Sequence, residues 1–237
     1  MKNILIRVAL VLLLSCSAVS NLQAAQNQPV ELSADSIEYD SVKGLIVAQG
    51  DVRVVQENTT LTGGSVQYNS KENEAHVKGN GRVVKDDATL VANEIHSYNN
   101  THIVATGDPI LTKGTSKLMG PTIDYDSVKQ YAIVTGGASL TTDDTNMTAN
   151  QIESFFSENR AVADGDVHIV SSPRNLDATA DQAIYYGKNG EQGKTVLTGN
   201  VRAVQEGNTL TGHTMTLYLD SKTIDVQGRS KLVIIPQ

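Results

Sequence analysis

The side chains best suited to metal binding or proton transfer are five histidines, and their spacing favours neither role. They are His76, His96, His102, His168 and His213. Zinc ligands usually come in close pairs such as His-x-x-x-His or Cys-x-x-Cys. No two of these histidines are spaced in that way, and the one cysteine, Cys16, stands alone. We therefore expect ordinary surface histidines, with no bound metal and no cofactor.

Carboxylates and amides recur at one position and raise the question of catalysis. Asp51, Asp108, Asp166 and Asn200 each follow a glycine. Paired carboxylates can hydrolyse glycosidic bonds, but Asp or Asn at the same position of successive repeats is typical of turns. The sequence has no Gly-x-Ser-x-Gly nucleophile elbow and no phosphate-binding loop, so it predicts no catalytic residues. A polysaccharide-acting enzyme stays open as an alternative that requires an asymmetric carboxylate pair.

The elements that must position these residues are seven internal repeats. One motif reads small residue, turn-type residue, any residue, apolar residue, any residue, then Tyr or a substitute. Its copies begin at Ala34, Gly63, Ala92, Gly120, Ala149, Ala180 and Gly212. The second motif centres on a glycine that follows an apolar residue by two places. These glycines are Gly50, Gly79, Gly107, Gly136, Gly165, Gly199 and Gly228.

The repeat period identifies the architecture. The glycines are spaced by 29, 28, 29, 29, 34 and 29 residues, and the long interval contains a polar insertion from Gly187 to Lys194. Between residues 50–63 and residues 199–212, ten of fourteen positions are identical. The repeats fill nearly all of residues 26–237, which we expect to form one domain.

Within each repeat the apolar residues alternate, as Val52 and Val54 do, which indicates strands. Glycines inside a strand pattern indicate bulges that bend the strand. Two strands in each repeat predict an all-β fold, a single antiparallel β-jellyroll of about fourteen strands. A β-solenoid is compatible with the same repeat length and remains the alternative fold.

The first 25 residues have the layout of a secretory signal peptide. Lys2 and Arg7 precede an apolar run over residues 8–14, and Ala24 and Ala25 offer a cleavage point. Residues 13–16 also resemble a lipobox, so lipid anchoring at Cys16 is the alternative. This layout predicts an exported protein. No later segment approaches the roughly 18 consecutive apolar residues that a transmembrane helix requires.

The charge of the exported chain argues against nucleic acid as a partner. Without Lys2 and Arg7 the chain has 17 basic and 26 acidic residues, a net charge of −9. Nucleic-acid binding requires a basic face. The sequence has no Trp and two Phe, so we expect an interior built from aliphatic side chains and a few tyrosines.

Two stretches carry a resemblance to a known family. Residues 32–39 with 48–52, and residues 196–201 through 210–212 to 233–236, resemble the LptA/OstA family of periplasmic lipopolysaccharide-transport proteins. The resemblance covers essentially all of residues 26–237. It implies a jellyroll that shelters the acyl chains of lipid A and joins homologous jellyroll proteins of the inner- and outer-membrane transport complexes. The periplasmic domain of the outer-membrane lipopolysaccharide assembly machinery, or a structural or adhesive β-solenoid, is the alternative.

Ten aliphatic residues occupy equivalent inward positions in the repeats and are the predicted lining of an apolar groove. They are Ile37, Val54, Val66, Val83, Ile95, Leu111, Ile123, Leu140, Ile152 and Ile169. Any β domain also needs inward Val and Ile for its core, so each residue has a purely structural reading. The sequence leaves open whether six basic residues lie at the groove mouth. They are Arg53, Lys78, Arg82, Lys113, Lys117 and Arg202.

An open sheet ends in two unpaired edges. Strand addition between the N-terminal edge, Val30 to Ile37, and the C-terminal edge, Lys231 to Ile235, would produce a head-to-tail homo-oligomer. Pro29 and Pro236 argue against this assembly, because proline cannot donate a hydrogen bond to a neighbouring strand.

Overall fold

The computed structural model of the chain describes residues 29–187, 193–221 and 223–235. The predicted signal peptide, Cys16, Pro236 and most of the polar insertion lie outside these residues. Within them, no helix is both long enough and apolar enough to cross a membrane.

The chain divides into two compact units, each of which is an antiparallel β structure. The first unit contains the described residues up to Gly114 together with Thr122–Gln130. Its strands are β1 (Glu31–Ser33), β2 (Ser36–Asp40), β3 (Leu45–Gln56), β4 (Thr59–Asn69), β5 (Glu74–Lys85), β6 (Ala88–Tyr98), β7 (His102–Thr106), β8 (Ile110–Lys113) and β10 (Thr122–Asp126).

The second unit contains Thr115–Pro121 and the described residues from Tyr131 onward. Its strands are β9 (Ser116–Met119), β11 (Tyr131–Thr141), β12 (Asn146–Phe155), β13 (Arg160–Ser171), β14 (Leu176–Tyr186), β15 (Lys194–Gln205), β16 (Asn208–Tyr218), β17 (Ile224–Gln227) and β18 (Lys231–Val233). Two short 3-10 turns, Phe156–Glu158 and Ser172–Arg174, follow β12 and β13.

The strand pairing follows the order of the chain. In the first unit, β3 to β6 pair consecutively, β1 and β2 share one side of β3, β7 and β8 share one side of β6, and β10 pairs with β7. In the second unit, β9 pairs with β11, β11 to β16 pair consecutively, and β17 and β18 share one side of β16. All of these pairs are antiparallel, which confirms the predicted fold class over a solenoid of parallel coils.

A bulge interrupts the ladder at each repeat glycine. Between β3 and β4 the register jumps from Gln49 opposite Ser65 to Val52 opposite Gly63, so two residues of β3 face one of β4. Gly50 has φ +77° and Asp51 has φ +44°. Both angles lie in the left-handed region, which glycine, Asn and Asp tolerate best. Asp51, Asp108, Asp166 and Asn200 all have positive φ. Asp51, Asp166 and Asn200 lie at bulges within strands rather than in turns, so their role is structural but differs from the predicted one.

The bulges divide each unit into two arms. We call arm A the half-strands on the side of residues 36–40, 45–49 and 65–69, and arm B the half-strands on the side of residues 31–33, 52–56 and 59–63. The same division holds in every repeat, so in the second unit residues 151–155 belong to arm A and residues 167–171 to arm B. In each arm alternate residues are buried, which places the core between the arms.

The number of strands differs from the prediction in an informative way. The described residues form eighteen strands rather than about fourteen, because four of the predicted strands are each broken in two at the bulge. Pro109 stands between β7 and β8, and Pro121 between β9 and β10. Proline has no N–H to donate to the ladder. The other two breaks separate β1 from β2 and β17 from β18, strands whose described pairings are on one side only.

Candidate functional site

The predicted groove residues fall into two lanes of buried aliphatic side chains, one on each arm. On arm A of the first unit, Val66, Ile95 and Ile123 alternate across the ladder with Ala48, Val77 and Ala105. On arm B, Val54, Val83 and Leu111 alternate with Leu61 and Leu90. Each lane is therefore a continuous apolar strip that runs across the strands.

The second unit repeats this arrangement. Ile152 lies in the arm A lane between Val134 and Ala163. Leu140 and Ile169 lie in the arm B lane on either side of Met147. Nine of the ten predicted residues are thus buried, with side chains no more than 7% exposed.

Ile37 is the exception, because its side chain is 49% exposed. It pairs with Ala48 and so begins the arm A lane. Its strand, β2, has one described neighbour, β3, so nothing covers Ile37 from the other side. Tyr39, two residues further along the same strand, is 48% exposed. The lane therefore opens to solvent at its N-terminal end.

An apolar cavity of about 100 Å³ lies at this open end of the first unit. Its lining comes from both arms, with Ile46, Ala48, Val66 and Tyr68 from arm A and Val30, Leu32 and Val54 from the arm B side. The walls are almost entirely apolar, and burial raises the pKa of the Tyr68 phenol. The two lanes therefore face each other across a small space with apolar walls.

The sequence prediction missed the residues that fill the lanes between its chosen positions. Ala48, Val77 and Ala105 are all buried. Each stands two residues before a repeat glycine, so the repeat contained the signal.

The structure resolves where the six basic residues lie. Arg53, Arg82 and Arg202 alternate with buried lane residues and are exposed on the outer face. Lys78 and Lys117 are likewise exposed. Lys113 alone has the inward parity, two residues after Leu111, and is half-buried at the free end of arm B. Of the six basic residues whose place the sequence left open, only Lys113 has a position compatible with the groove mouth.

The histidines lie on the outer face, as expected. On the first unit His76, His96 and His102 form a row together with Tyr98, which we call the histidine ladder. The rings of His76 and His96 stack with centroids 4.9 Å apart, and Tyr98 lies 4.0 Å from His96. His76 Nε2 is 3.1 Å from a Glu94 carboxylate oxygen. Partial burial, and secondarily the neighbouring His76, lowers the pKa of His96. No cluster suited to a metal ion occurs among the described residues.

One buried arginine bridges the two arms of the second unit at their free ends, which we call the mouth of the unit. Arg174, at the end of arm B, is 7% exposed. Its Nη2 donates to Asp144 Oδ2 at 2.8 Å and to the carbonyl oxygen of Leu219, and its Nη1 donates to the carbonyl oxygen of Tyr218 at 3.3 Å. Tyr218 ends the arm A half of β16. The guanidinium therefore ties the free ends of the two arms together.

Most of the chain matches the model of one protein family. Residues 31–160 and 122–223 match the model described as LptA/(LptD N-terminal domain) LPS transport protein. The chain belongs to this family. The two matches overlap at residues 122–160. Membership in this family makes the chain an LPS transport protein in the broad sense, and the family is one of transport components.

The other comparisons add the following. A crystal structure of LptH, the LptA homologous periplasmic component of the conserved lipopolysaccharide transport device from Pseudomonas aeruginosa, aligns with 88% of this chain and 96% of its own at 17% identity and a TM-score of 0.18. A superposition with that score carries no argument about this chain. No curated relative matches the chain.

Proposed function

We propose that this family member binds lipopolysaccharide in the periplasm, holds the acyl chains of lipid A between its two arms, and hands the lipid from the inner towards the outer membrane. The observation that carries the proposal is the pair of facing aliphatic lanes, which open into an apolar cavity beside Ile37. This property distinguishes the interior from a sealed core, since its apolar surface continues to the end of the unit.

The energetics favour such a groove. Each exposed methylene of an acyl chain costs roughly 0.8 kcal/mol in water, so a lipid with several chains cannot cross the periplasm alone. A surface of Val, Ile, Leu and Ala removes most of that cost without holding the chains by directional bonds. The lanes therefore suit a ligand that must be bound and then released.

The two edges support assembly with further copies or with homologous jellyroll proteins. Leu232, Ile234 and Ile235 at the C-terminal edge are more than half exposed. Ile37 and Tyr39 are comparably exposed at the N-terminal edge. Exposed apolar edge strands pair with other strands unless they are blocked. Head-to-tail strand addition would cover both edges and continue the lanes from one molecule into the next.

Site-specific photo-crosslinking tests lipid binding. A photoreactive residue at Val83, which lies in the arm B lane, should crosslink lipopolysaccharide added to the purified protein. The matched control is Arg82, the adjacent residue on the same strand, which is exposed on the outer face. Ile95 tests the arm A lane in the same way. Equal labelling at Val83 and Arg82, or no labelling at any lane position, would contradict the proposal.

A second function within the same family has its own support. The matched family model also describes the LptD N-terminal domain, so the chain could serve as a periplasmic part of an outer-membrane assembly. Depletion tests transport in either case, because lipopolysaccharide should then accumulate at the inner membrane. Copurification of the chain with an outer-membrane assembly would favour the second function.

A further inference from the structure

The mouth of the second unit contains a cavity unlike the one in the first. It has a volume of about 360 Å³. Thr115, Ser116 and residues 142–144 line it from the free end of arm B, and Asn159, Tyr185 and Leu219 line it from the free end of arm A. The cavity therefore lies where the apolar interior of this unit meets solvent.

The cavity is lined with hydrogen-bonding groups. Four of the eight lining residues carry a hydroxyl group, two carry a carboxylate and one an amide, and Leu219 alone is apolar. The apolar cavity of the first unit has the opposite composition. A mixture of donors and acceptors around an open space suits a ligand with many hydroxyl groups.

The charge at the mouth favours a neutral ligand group over a phosphate. The guanidinium of Arg174 is already bonded to Asp144 and to two backbone carbonyls. With Asp143 beside it, the cluster of Arg174, Asp143 and Asp144 carries one net negative charge. Because like charges repel, a phosphate group is disfavoured, whereas a sugar hydroxyl can donate to either carboxylate.

We propose that this cavity binds the saccharide part of an amphiphile through its hydroxyl groups. Asp143 and Asp144 accept hydrogen bonds from the sugar, and Asn159 and Thr142 both donate and accept. Arg174 is a positioning residue, because its bond to Asp144 fixes that carboxylate in the cavity wall. The inference rests on the proposed function, since a lipid whose acyl chains lie between the arms presents its sugar head at the mouth.

The first experiment separates the head of the ligand from its chains. The full chain, labelled for NMR, is titrated with deacylated lipopolysaccharide, with the same saccharide after phosphatase treatment, and with a free fatty acid. We expect both saccharides to shift the amide signals of Thr115, Ser116, Thr142 and Asn159, and the fatty acid to leave them unchanged. Shifts that vanish after phosphatase treatment would assign the cavity to phosphate and overturn the proposal, as would no shift with either saccharide.

The same titration keeps the two proposals distinguishable. If the fatty acid shifts the NMR signal of no lane residue, such as Ile95, the proposal of acyl binding fails. The signals of the mouth residues report saccharide binding independently. A saccharide that binds with no fatty acid binding would support the cavity and contradict the groove. Fatty acid binding with no saccharide binding would do the reverse.

The second experiment uses matched variants. Thr142→Val together with Asp143→Asn should weaken saccharide binding about tenfold, since each variant removes or weakens a hydrogen bond to the ligand. Fatty acid binding should not change. The control is Thr135→Val, the same replacement at an exposed position on the outer face. Equal losses for saccharide and fatty acid, or a loss in the control, would overturn the assignment.

The positioning role of Arg174 has its own readout. Arg174→Lys keeps the charge but cannot reproduce the planar fork that reaches Asp144 and both carbonyls. We expect saccharide affinity to fall several-fold while fatty acid affinity is retained. Parallel losses of both affinities would show that Arg174 only holds the arms together, which would remove it from the proposed site.

Discussion

At the scale of single residues, the chain separates its interior from its outer face by strand parity alone. Val83 is buried and Arg82, its neighbour, is exposed. This alternation is why nine of the ten residues predicted from the sequence are buried in the lanes. Ile37 has the same parity but is exposed, because its strand β2 has one described neighbour. The sequence predicted that Ile37 lies at the N-terminal edge of the sheet, and its exposure follows from that position.

The histidine ladder gives a prediction at this scale. The pKa of His96 should lie below the ordinary histidine value of about 6.5, because partial burial and the stacked His76 both disfavour its charged form. His76→Gln should raise the pKa of His96 part of the way, measured by NMR titration of the ring protons. His102→Gln is the control, since His102 is not among the causes of the shift. No change in the His76 variant would contradict the stacking argument.

The same shift has a consequence for stability. The folded chain binds the His96 proton less readily than the unfolded chain, so the unfolded state carries more protons once the pH falls below about 6.5. The contribution of His96 therefore lowers the free energy of unfolding as the pH falls through that value. Urea unfolding of the wild type and of His96→Gln at several pH values should show a smaller decrease in the variant.

At the scale of elements, the bulge is the feature that turns a row of strands into two facing arms. The repeat glycines and the Asp or Asn that follow them predicted the bulges from sequence. The sequence did not reveal that prolines would break β7 from β8 and β9 from β10, although Pro109 and Pro121 stand at the bulge positions. The sequence also did not predict the hydrogen bonds of Arg174, because Asp144 and the carbonyl groups of Tyr218 and Leu219 come close to it only in the folded unit.

A pair of glycine replacements tests the bulge. Gly107 has φ +77°, and a Cβ there would lie 2.5 Å from Asn93 Cβ, whereas Gly114 has φ +55° and open space around it. Gly107→Ala should cost about 3 kcal/mol of unfolding free energy, from backbone strain and the clash together. Gly114→Ala should cost about 1 kcal/mol, from strain alone. Equal costs in urea unfolding would show that the close approach to Asn93 is unimportant.

The edges give a second prediction at this scale, which depends on the proposed assembly. Leu232→Lys with Ile234→Lys should lower self-association, because a charged edge strand resists pairing. Sedimentation at several protein concentrations measures the effect. Val128→Lys is the control, since Val128 is 72% exposed in the turn after β10 and lies at neither edge. Equal effects of the two variants would argue against strand addition.

At the scale of the whole molecule, the repeat period predicts the fold class better than it predicts the ligand. Seven copies of one pattern predict an array of strands, because every repeat must bury its apolar residues against the next. The antiparallel pairing, which excludes a solenoid of parallel coils, is seen only in the structure. The ligand is not determined in this way, since Val, Ile and Leu serve a closed core as well as an open groove. The polar mouth of the second unit required the folded structure, because its lining residues come from several separate turns.

Hydrogen exchange provides a prediction for the whole ladder. Strands with neighbours on both sides, such as β4 and β14, should exchange their backbone amides slowly. The strands whose described pairings are on one side only should exchange first; they are β1, β2, β8, β9, β10, β17 and β18. If a ligand or a further copy covers these edges, their exchange should slow on its addition while that of β4 stays the same.

The order of strand pairing also bears on how the protein is made. Once the four breaks are bridged, every described pair joins segments that are consecutive along the chain. Such nearest-neighbour contacts allow folding to start at one end and grow by one strand at a time. A chain threaded through a membrane from its N-terminus could fold as it emerges, without waiting for its last residues.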